Sequence, residues 1–358
     1  MATLVVSDLH LGAVLGGDVL RREEPRELLL AELEGCDRVV LLGDLLELRE
    51  QPLATVLGAA YPFFEALGEA LPKGASVTVV PGNHDHQLAA PLIEARRMRA
   101  NPKPLGLEET AKAGGSGPLA AIARRMPNAE VTVAYPGTWI RPDTYAIHGH
   151  YLDCHIAVPR AEVLGIHAIR RVLGRDSAFA SPDDYEAIVA PLYAFTYQLA
   201  HAAVPGERSV GSSFSARVWT RLNARRPTLG SRALALAGIP AAVAALNRLG
   251  LGPFTADLSG TSLRRAGLDA MSEVVRRLGV DARHVLFGHT HRAGPLPRDE
   301  GWDPRLVNTG SWVYEPSLVT RGPDSPYWPG TVVRVPDRGG PPELRNALRK
   351  VAPGALRG

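Results

Sequence analysis

Five apolar runs in this chain end in the same kind of cluster, a carboxylate, imidazole or carboxamide set beside glycine. Residues 4–7 lead into "DLH" (Asp8, His10), 39–43 into "GDLLE" (Asp44, Glu47), and 77–81 into "PGNHD" (Asn83, His84, Asp85). Residues 145–149 carry "HGH" (His148, His150) and 285–288 lead into "GHTH" (His289, His291). Short leucine-rich or β-branched runs that stop at polar residues and glycine read as strands. A sixth, 306–310, runs into "NTGSW". In extended backbone, residues two apart face the same side, so Asp8 with His10, and His289 with His291, each present two side chains to one space. Imidazole, carboxylate and amide oxygen without thiolate suit a hard to borderline divalent ion such as Mn, Fe or Zn.

Helical segments at 25–35 and 53–71 separate the first three runs, which predicts β-α-β crossovers and a partly parallel sheet. Ligands gather beyond the carboxyl ends of strands in such sheets, where the five clusters lie. Segments 130–135, 138–141 and 144–148, parted by Pro136–Gly137 and Pro142–Asp143, read as an antiparallel meander. From 151 to 283 the pattern becomes alanine- and arginine-rich and helical, broken by glycine and proline, which predicts an inserted helical domain. Within it, residues 208–256 hold seven arginines (208, 217, 221, 225, 226, 232, 248) and no aspartate or glutamate. The expected organisation is a core of 1–150 and 284–335, an inserted cap of 151–283, and a Pro/Gly-rich tail of 336–358.

Composition removes several classes. At 358 residues and 45% hydrophobic the chain can bury a large core. The longest nearly apolar run, 233–246, falls short of the roughly 20 residues that cross a bilayer. No charged segment followed by an apolar stretch opens the chain, so a cytoplasmic location is expected. Cys36 and Cys154 fit no paired zinc spacing and read as buried thiols. The net charge of +3 identifies no partner, because arginine outnumbers lysine 36 to 4, a skew that genome composition alone produces.

The elements "DLH", "GD", "GNHD", "H" and "GHTH", in this order, resemble the signature of the calcineurin-like metallophosphoesterases. That resemblance implies a mixed α/β fold, a four-layer sandwich of two mixed β-sheets flanked by helices, carrying the inserted helical domain. It further implies two divalent metal ions, manganese first, with iron or zinc as alternatives. Asp8, His10 and His291 would hold one, Asn83, His148 and His289 the other, and Asp44 would bridge them. Such a pair makes a metal-bound hydroxide available at neutral pH to attack phosphorus in a phosphodiester, phosphomonoester or pyrophosphate. His84 would protonate the leaving oxygen, Asp85 would orient His84, and Glu47, one helical turn from Asp44, would support that carboxylate. His150 reads either as a substrate contact or as a satisfied core imidazole. His86, His155, His167, His201 and His284 carry no motif and read as structural.

The opening of the chain and the position of the insertion are similar to the UDP-2,3-diacylglucosamine hydrolase branch, which suggests a lipid- or nucleotide-linked phosphate as substrate. That branch commonly has arginine where this chain has His84, and its insertion is shorter. For 208–256, with Phe214 and Trp219 interleaved, one reading is a lid that touches anionic lipid as a peripheral membrane contact at the inner face; the other is an ordinary amphipathic subdomain. A nuclease is the competing enzyme, but the acid-free 208–256 interleaves too few aromatics for the stacking stripe that single strands favour. A non-catalytic scaffold predicts eroded ligands, and none are missing.

Overall fold

A computed structural model of the chain describes residues 2–174, 179–202, 239–257, 259–297, 299–319 and 321–357. The segment 208–256, expected to face a membrane, falls largely outside them; of its seven arginines only Arg248 is included, and Phe214 and Trp219 are not. The chain divides into two compact units, one of Met1–His150, Thr196–Pro205 and Val280–Gly358, the other of Tyr151–Phe195 and Gly206–Gly279.

The described residues of the first unit form eleven strands: β1 (Ala2–Val6), β2 (Cys36–Leu42), β3 (Ala75–Val80), β4 (Glu108–Lys112), β5 (Ala129–Arg141), β6 (Thr144–Ile147), β7 (His284–Phe287), β8 (Ala293–Gly294), β9 (Leu306–Thr309), β10 (Thr331–Pro336) and β11 (Glu343–Asn346). They follow one hydrogen-bonded path, β11-β10-β1-β2-β3-β5-β6-β7-β9-β8, with β4 on the edge of β5. β1, β2, β3 and the first half of β5 run parallel, as do β6, β7 and β9.

Alternation along the strands divides the side chains. Leu4 and Val6 of β1, with Val39 and Leu41 of β2, face one core, while Val5, Val40 and Leu42 face another. That second core also receives Ala146, Leu286 and Val307 from β6, β7 and β9, so the two halves of the path pack on each other through it. Each buried valine or leucine contributes about 1.5–3 kcal/mol relative to exposure, which anchors the strand ends firmly.

The break expected at Pro136–Gly137 is not a turn. Residues 129–133 pair with β3, and from Gly137 the same strand pairs with β6, so β5 is the corner through which the sheet doubles back. Proline donates nothing to a ladder, and a Cβ on Gly137 would strike the Tyr145 ring, so both residues suit a corner.

Helices α1 (Glu23–Ala31), α2 (Leu53–Ala70), α3 (Ala90–Arg97) and α4 (Pro118–Ala123) belong to this unit. α2 buries Val56, Ala60, Phe63, Phe64 and Leu67, a stripe of helical period, against the outer face of β1–β3. Residues beyond Pro336 differ from the expected tail: β11 pairs antiparallel with β10, and Leu348 and Leu356 are fully buried. Proline and glycine there shape a hairpin whose apolar residues return to the core.

In the second unit, α5 (Ala161–Val172), α6 (Pro182–Ala202), α7 (Ile239–Arg248) and α8 (Gly260–Arg277) are described. Tyr151 stacks on Tyr185 at 4.5 Å and donates to Glu186 Oε1 at 2.7 Å, while Ser259 caps α8 by accepting from the Ser262 amide. The unit boundaries differ from the expected 151–283: α6 residues from Thr196 onward count with the first unit. There Tyr197 packs on its core, and His201 Nε2 accepts from the Leu53 amide at the start of α2.

Candidate metal centre

The five clusters follow the carboxyl ends of β1, β2, β3, β6 and β7, and all lie in the first unit. Their ligand atoms form three groups, Asp8 with His10 and His291, His10 with Asp44 and His84, and Asp44 with His148 and His289, each group within 4.8 Å. Asn83 joins the third group, its amide oxygen 3.2 Å from His148 Nε2 and 3.0 Å from His289 Nδ1. All seven residues nominated as ligands therefore converge from five separate loops.

The backbone is bent to achieve this. Asp8, His10, Asp44, His289 and His291 have φ between 45° and 67°, the left-handed region, and among the described residues no other non-glycine does. Such conformations cost about 1–3 kcal/mol each and persist where the surroundings over-determine them. Tight hydrogen bonding does so here: Asp8 N donates to Gly43 O, His10 N to Asp44 O, and His289 N to the Asp8 carboxylate.

Each imidazole is aimed by its second nitrogen. His148 Nδ1 donates to Leu42 O at 3.0 Å, which leaves Nε2 facing Asp44 Oδ2 at 3.2 Å. His10 Nδ1 donates to Glu47 Oε2 at 2.8 Å, so its Nε2 points at Asp44 Oδ2, 3.6 Å away, and lies 3.1 Å from His291 Nε2. Most of the centre is buried; His84 and His291, which expose 22% and 23% of their side chains, and the half-buried His289 mark its opening.

Unlike charges set the protonation. Burial raises Asp44, but His148, His84 and His10 outweigh it and hold the carboxyl well below its usual range. Burial likewise lowers His10, yet Glu47, Asp44 and Asp8 bring it up to about 10; for His148 the same balance, led by Asp44, gives about 9. So much negative potential in a buried site, with two nitrogens and an amide oxygen turned toward one another, fits cations. The Asn83 amide shows the same preference from the other side: only if turned over would it donate to His289, Asp44 and His148 and accept from Arg49 Nη1 at 3.0 Å.

Several expectations are corrected. Asp85 does not orient His84; its carboxylate accepts from the amides of Gly82, Leu45 and Leu46 and so ties the β3 loop to the β2 loop. Burial and the nearby Asp44 raise it to about 6. Glu47 does not sit on a helix with Asp44: residues 43–47 are not helical, and Glu47 accepts from both His10 Nδ1 and His84 Nδ1, each at 2.8 Å. His150, read as a substrate contact or a core imidazole, is fully buried, its Nε2 3.3 Å from Tyr135 Oη and its ring 5.6 Å from that of His148. The glycines beside the clusters serve packing between side chains: a Cβ on Gly43 would strike His148, one on Gly82 the Asp44 carboxylate, one on Gly288 the Asp8 carboxylate.

Sequence reasoning missed Arg49, whose Nη1 lies 3.4 Å from His84 Nε2. Its place two residues beyond Glu47, in the turn where the Arg49 amide donates to Glu47 Oε1 at 3.2 Å, is the signal that could have found it. "NTGSW" proves to brace the ligand loops: Asn308 donates to Thr290 Oγ1 at 2.7 Å, Thr309 shares a hydrogen bond with Ser7, and the Trp312 amide donates to Asp8 O.

A family model described as calcineurin-like phosphoesterase matches residues 1–227. No curated protein matches the chain. Similar solved structures include a point mutant of a cold-active protein tyrosine phosphatase, 13% identical, covering 96% of this chain and 80% of that one with a TM-score of 0.30. Another is the cold-active protein-tyrosine phosphatase of a psychrophile, Shewanella sp., 12% identical, with the same coverage and a TM-score of 0.28. Scores this low carry no argument, and the family match stands without them. It takes in more than half of the chain and four of the five convergent loops, so this chain belongs to the calcineurin-like phosphoesterases, metal-dependent hydrolases of phosphoric esters.

Proposed function

We propose that the chain hydrolyses a phosphodiester, phosphomonoester or pyrophosphate with two divalent ions. Asp8, His10 and His291 hold one, Asn83, His148 and His289 the other, and Asp44 lies between them. The observation that carries this reading is the convergence of these side chains, five of them on left-handed backbone, within three groups of ligand-atom spacing. Manganese is the first choice, with iron or zinc as alternatives, because the donors are imidazole, carboxylate and amide without thiolate. When bound, such ions neutralise non-bridging phosphate oxygens and lower the pKa of coordinated water toward about 7.

The remaining work falls to the protein's own groups. Glu47 accepts a hydrogen bond from His84 Nδ1–H, which turns Nε2 toward the opening, where the ring protonated on both nitrogens gives its Nε2 proton to the leaving oxygen and is left neutral. The His84 amide donates to Asp44 Oδ1 at 2.8 Å, so the acid and the bridging carboxylate keep a fixed spacing. Arg49 supplies a guanidinium at the same edge, suited to a second phosphate oxygen. Arg49 and His84 together suit a small-molecule or lipid-linked pyrophosphate, while the arginine that the UDP-2,3-diacylglucosamine hydrolase branch commonly carries at the position of His84 is absent here, a departure that counts against that branch's own substrate.

The test is turnover of bis(p-nitrophenyl) phosphate by manganese-loaded protein, followed by a screen of mono-, di- and pyrophosphate substrates with and without acyl chains. Asp44→Ala is expected to abolish turnover, and His84→Ala to lower kcat about 10²- to 10⁴-fold. Absence of turnover on every substrate class with each of the three metals would overturn the reading.

A further inference from the structure

The helical unit carries an apolar edge that contains no acid. From Pro240 onward α7 buries only Val243 and half-buries Leu246, leaving Pro240, Ala241, Ala242, Ala244 and Ala245 exposed. From Pro240 to Leu246 this helix has no polar residue on any side, and such a stretch is ordinarily buried in protein or set against lipid. Its C-terminal turn is laid on the end of α5. Asn247 donates to Phe254 O and accepts from the Phe254 amide, the His167 ring lies 5.1 Å from that of Phe254 and bonds the Leu251 backbone, and the Arg171 guanidinium rests against Gly250.

This packing brings two helix ends together, and both end in large apolar residues that face solvent: Val172 is 85% exposed, Leu173 50% and Leu249 62%. Arg171 and Arg248 flank them, and both are exposed. Residues 163–174 and 239–256 contain no aspartate or glutamate. Soluble surfaces scatter their large apolar residues and mix charge signs, and this edge does neither. Two copies of it would bring arginines against arginines, which disfavours self-association. No described helix is long and apolar enough to cross a membrane, so the edge can lie on a bilayer but not traverse it.

We infer that this edge rests on an anionic lipid surface, with Arg171 and Arg248 against headgroup phosphates and Val172, Leu173 and Leu249 in the interfacial layer. The inference is independent of the substrate reading above. Of the membrane contact expected for 208–256 it keeps the described end of α7, and it adds the end of α5.

The experiment is co-sedimentation of the full chain with vesicles of phosphatidylcholine alone or with phosphatidylglycerol added. Wild type is expected to partition onto the anionic vesicles and only weakly onto neutral ones. The double variant Arg171→Glu, Arg248→Glu should lose at least roughly fivefold per arginine. The triple variant Val172→Ser, Leu173→Ser, Leu249→Ser should lose partitioning while keeping its melting temperature and its turnover of bis(p-nitrophenyl) phosphate. If wild type stays in the supernatant with anionic vesicles, or if both variants sediment as wild type does, the inference is overturned. It is also overturned if light scattering finds wild type dimeric and the triple variant monomeric, since the edge would then be a contact between copies. A protein that hydrolyses no phosphate ester but sediments in this pattern would refute the proposed function and leave the lipid contact standing.

Discussion

Glu47 holds two imidazoles with one carboxylate, and its neighbours keep it ionised: burial raises its pKa, but His84 and His10 pull it far below the usual range. Glu47→Gln keeps the shape while removing the acceptor for one of the two N–H groups. We expect metal affinity at the Asp8, His10, His291 position to fall about 10- to 100-fold by calorimetry, together with a drop in kcat. A fall in kcat with unchanged metal affinity would limit Glu47 to orienting His84. For Arg49→Ala the expected split is different. Its guanidinium lies 3.4 Å from His84 Nε2, at the edge of the centre, so metal affinity should hold while kcat/KM falls by the equivalent of roughly 1.5–3 kcal/mol, the worth of a charge-assisted hydrogen bond. Arg49→Lys should restore only part, because an ammonium lacks the planar fork.

At the scale of elements, the strands are ordinary and the loops are not. Buried valines and leucines suit a strand, and they lead into the loops after β1, β2 and β7, in which two, one and two ligands take a left-handed conformation. Glycine carries the close approaches, and the requirement differs sharply between positions. Gly82→Ala needs no unusual φ, but its methyl would meet the Asp44 carboxylate and His148, so metal binding and turnover are expected to collapse. Gly58, exposed on α2 with nothing within 4 Å, gives the contrast: Gly58→Ala should raise stability by about 1 kcal/mol in chemical denaturation, with turnover unchanged. Equal effects at the two positions would refute the packing account of Gly82.

For the whole molecule, the cluster of carboxylates and imidazoles implies that cations stabilise the folded chain by mass action, since the unfolded chain scatters these ligands. Chelation is expected to lower the melting temperature of the metal-loaded protein, and Asp44→Ala should remove most of that difference in differential scanning calorimetry. The helical unit responds to pH through His155, whose Nε2 lies 2.7 Å from Tyr185 Oη. Burial, with Arg277 and Arg170 nearby, lowers its pKa to about 4. A histidine lowered in the fold contributes stability that is complete above its ordinary value near 6.5 and lost as pH falls from there toward 4. The size is at most about 3 kcal/mol. His155→Gln should flatten this acid limb in thermal melts between pH 7 and 4; an unchanged limb would assign it to other groups.

The places of Asp8, His10, Asp44, Asn83, His148, His289 and His291 beyond strand ends were legible in the sequence, as were six strands and the helix at 53–71, because period and punctuation are local properties of a chain. Partnership was not. That Asp85 binds the amides of Gly82, Leu45 and Leu46, that Glu47 rather than Asp85 holds His84, and that Arg49 stands beside it depend on how loops of separate strands interlock. β4 and β11 escaped notice because strands of mostly polar residues at an edge form on the neighbour that they pair with, whereas β10, with Val332, Val333 and Val335 buried, carried a β-branched signal that was there to read. The sequence by itself determined which residue types stand at the carboxyl ends of which strands, since spacing along a chain follows from covalent geometry. Only the tertiary structure decided which side chain faces which, because those contacts join residues up to about three hundred positions apart, such as Asp8 and His289, whose separation in space no local pattern encodes.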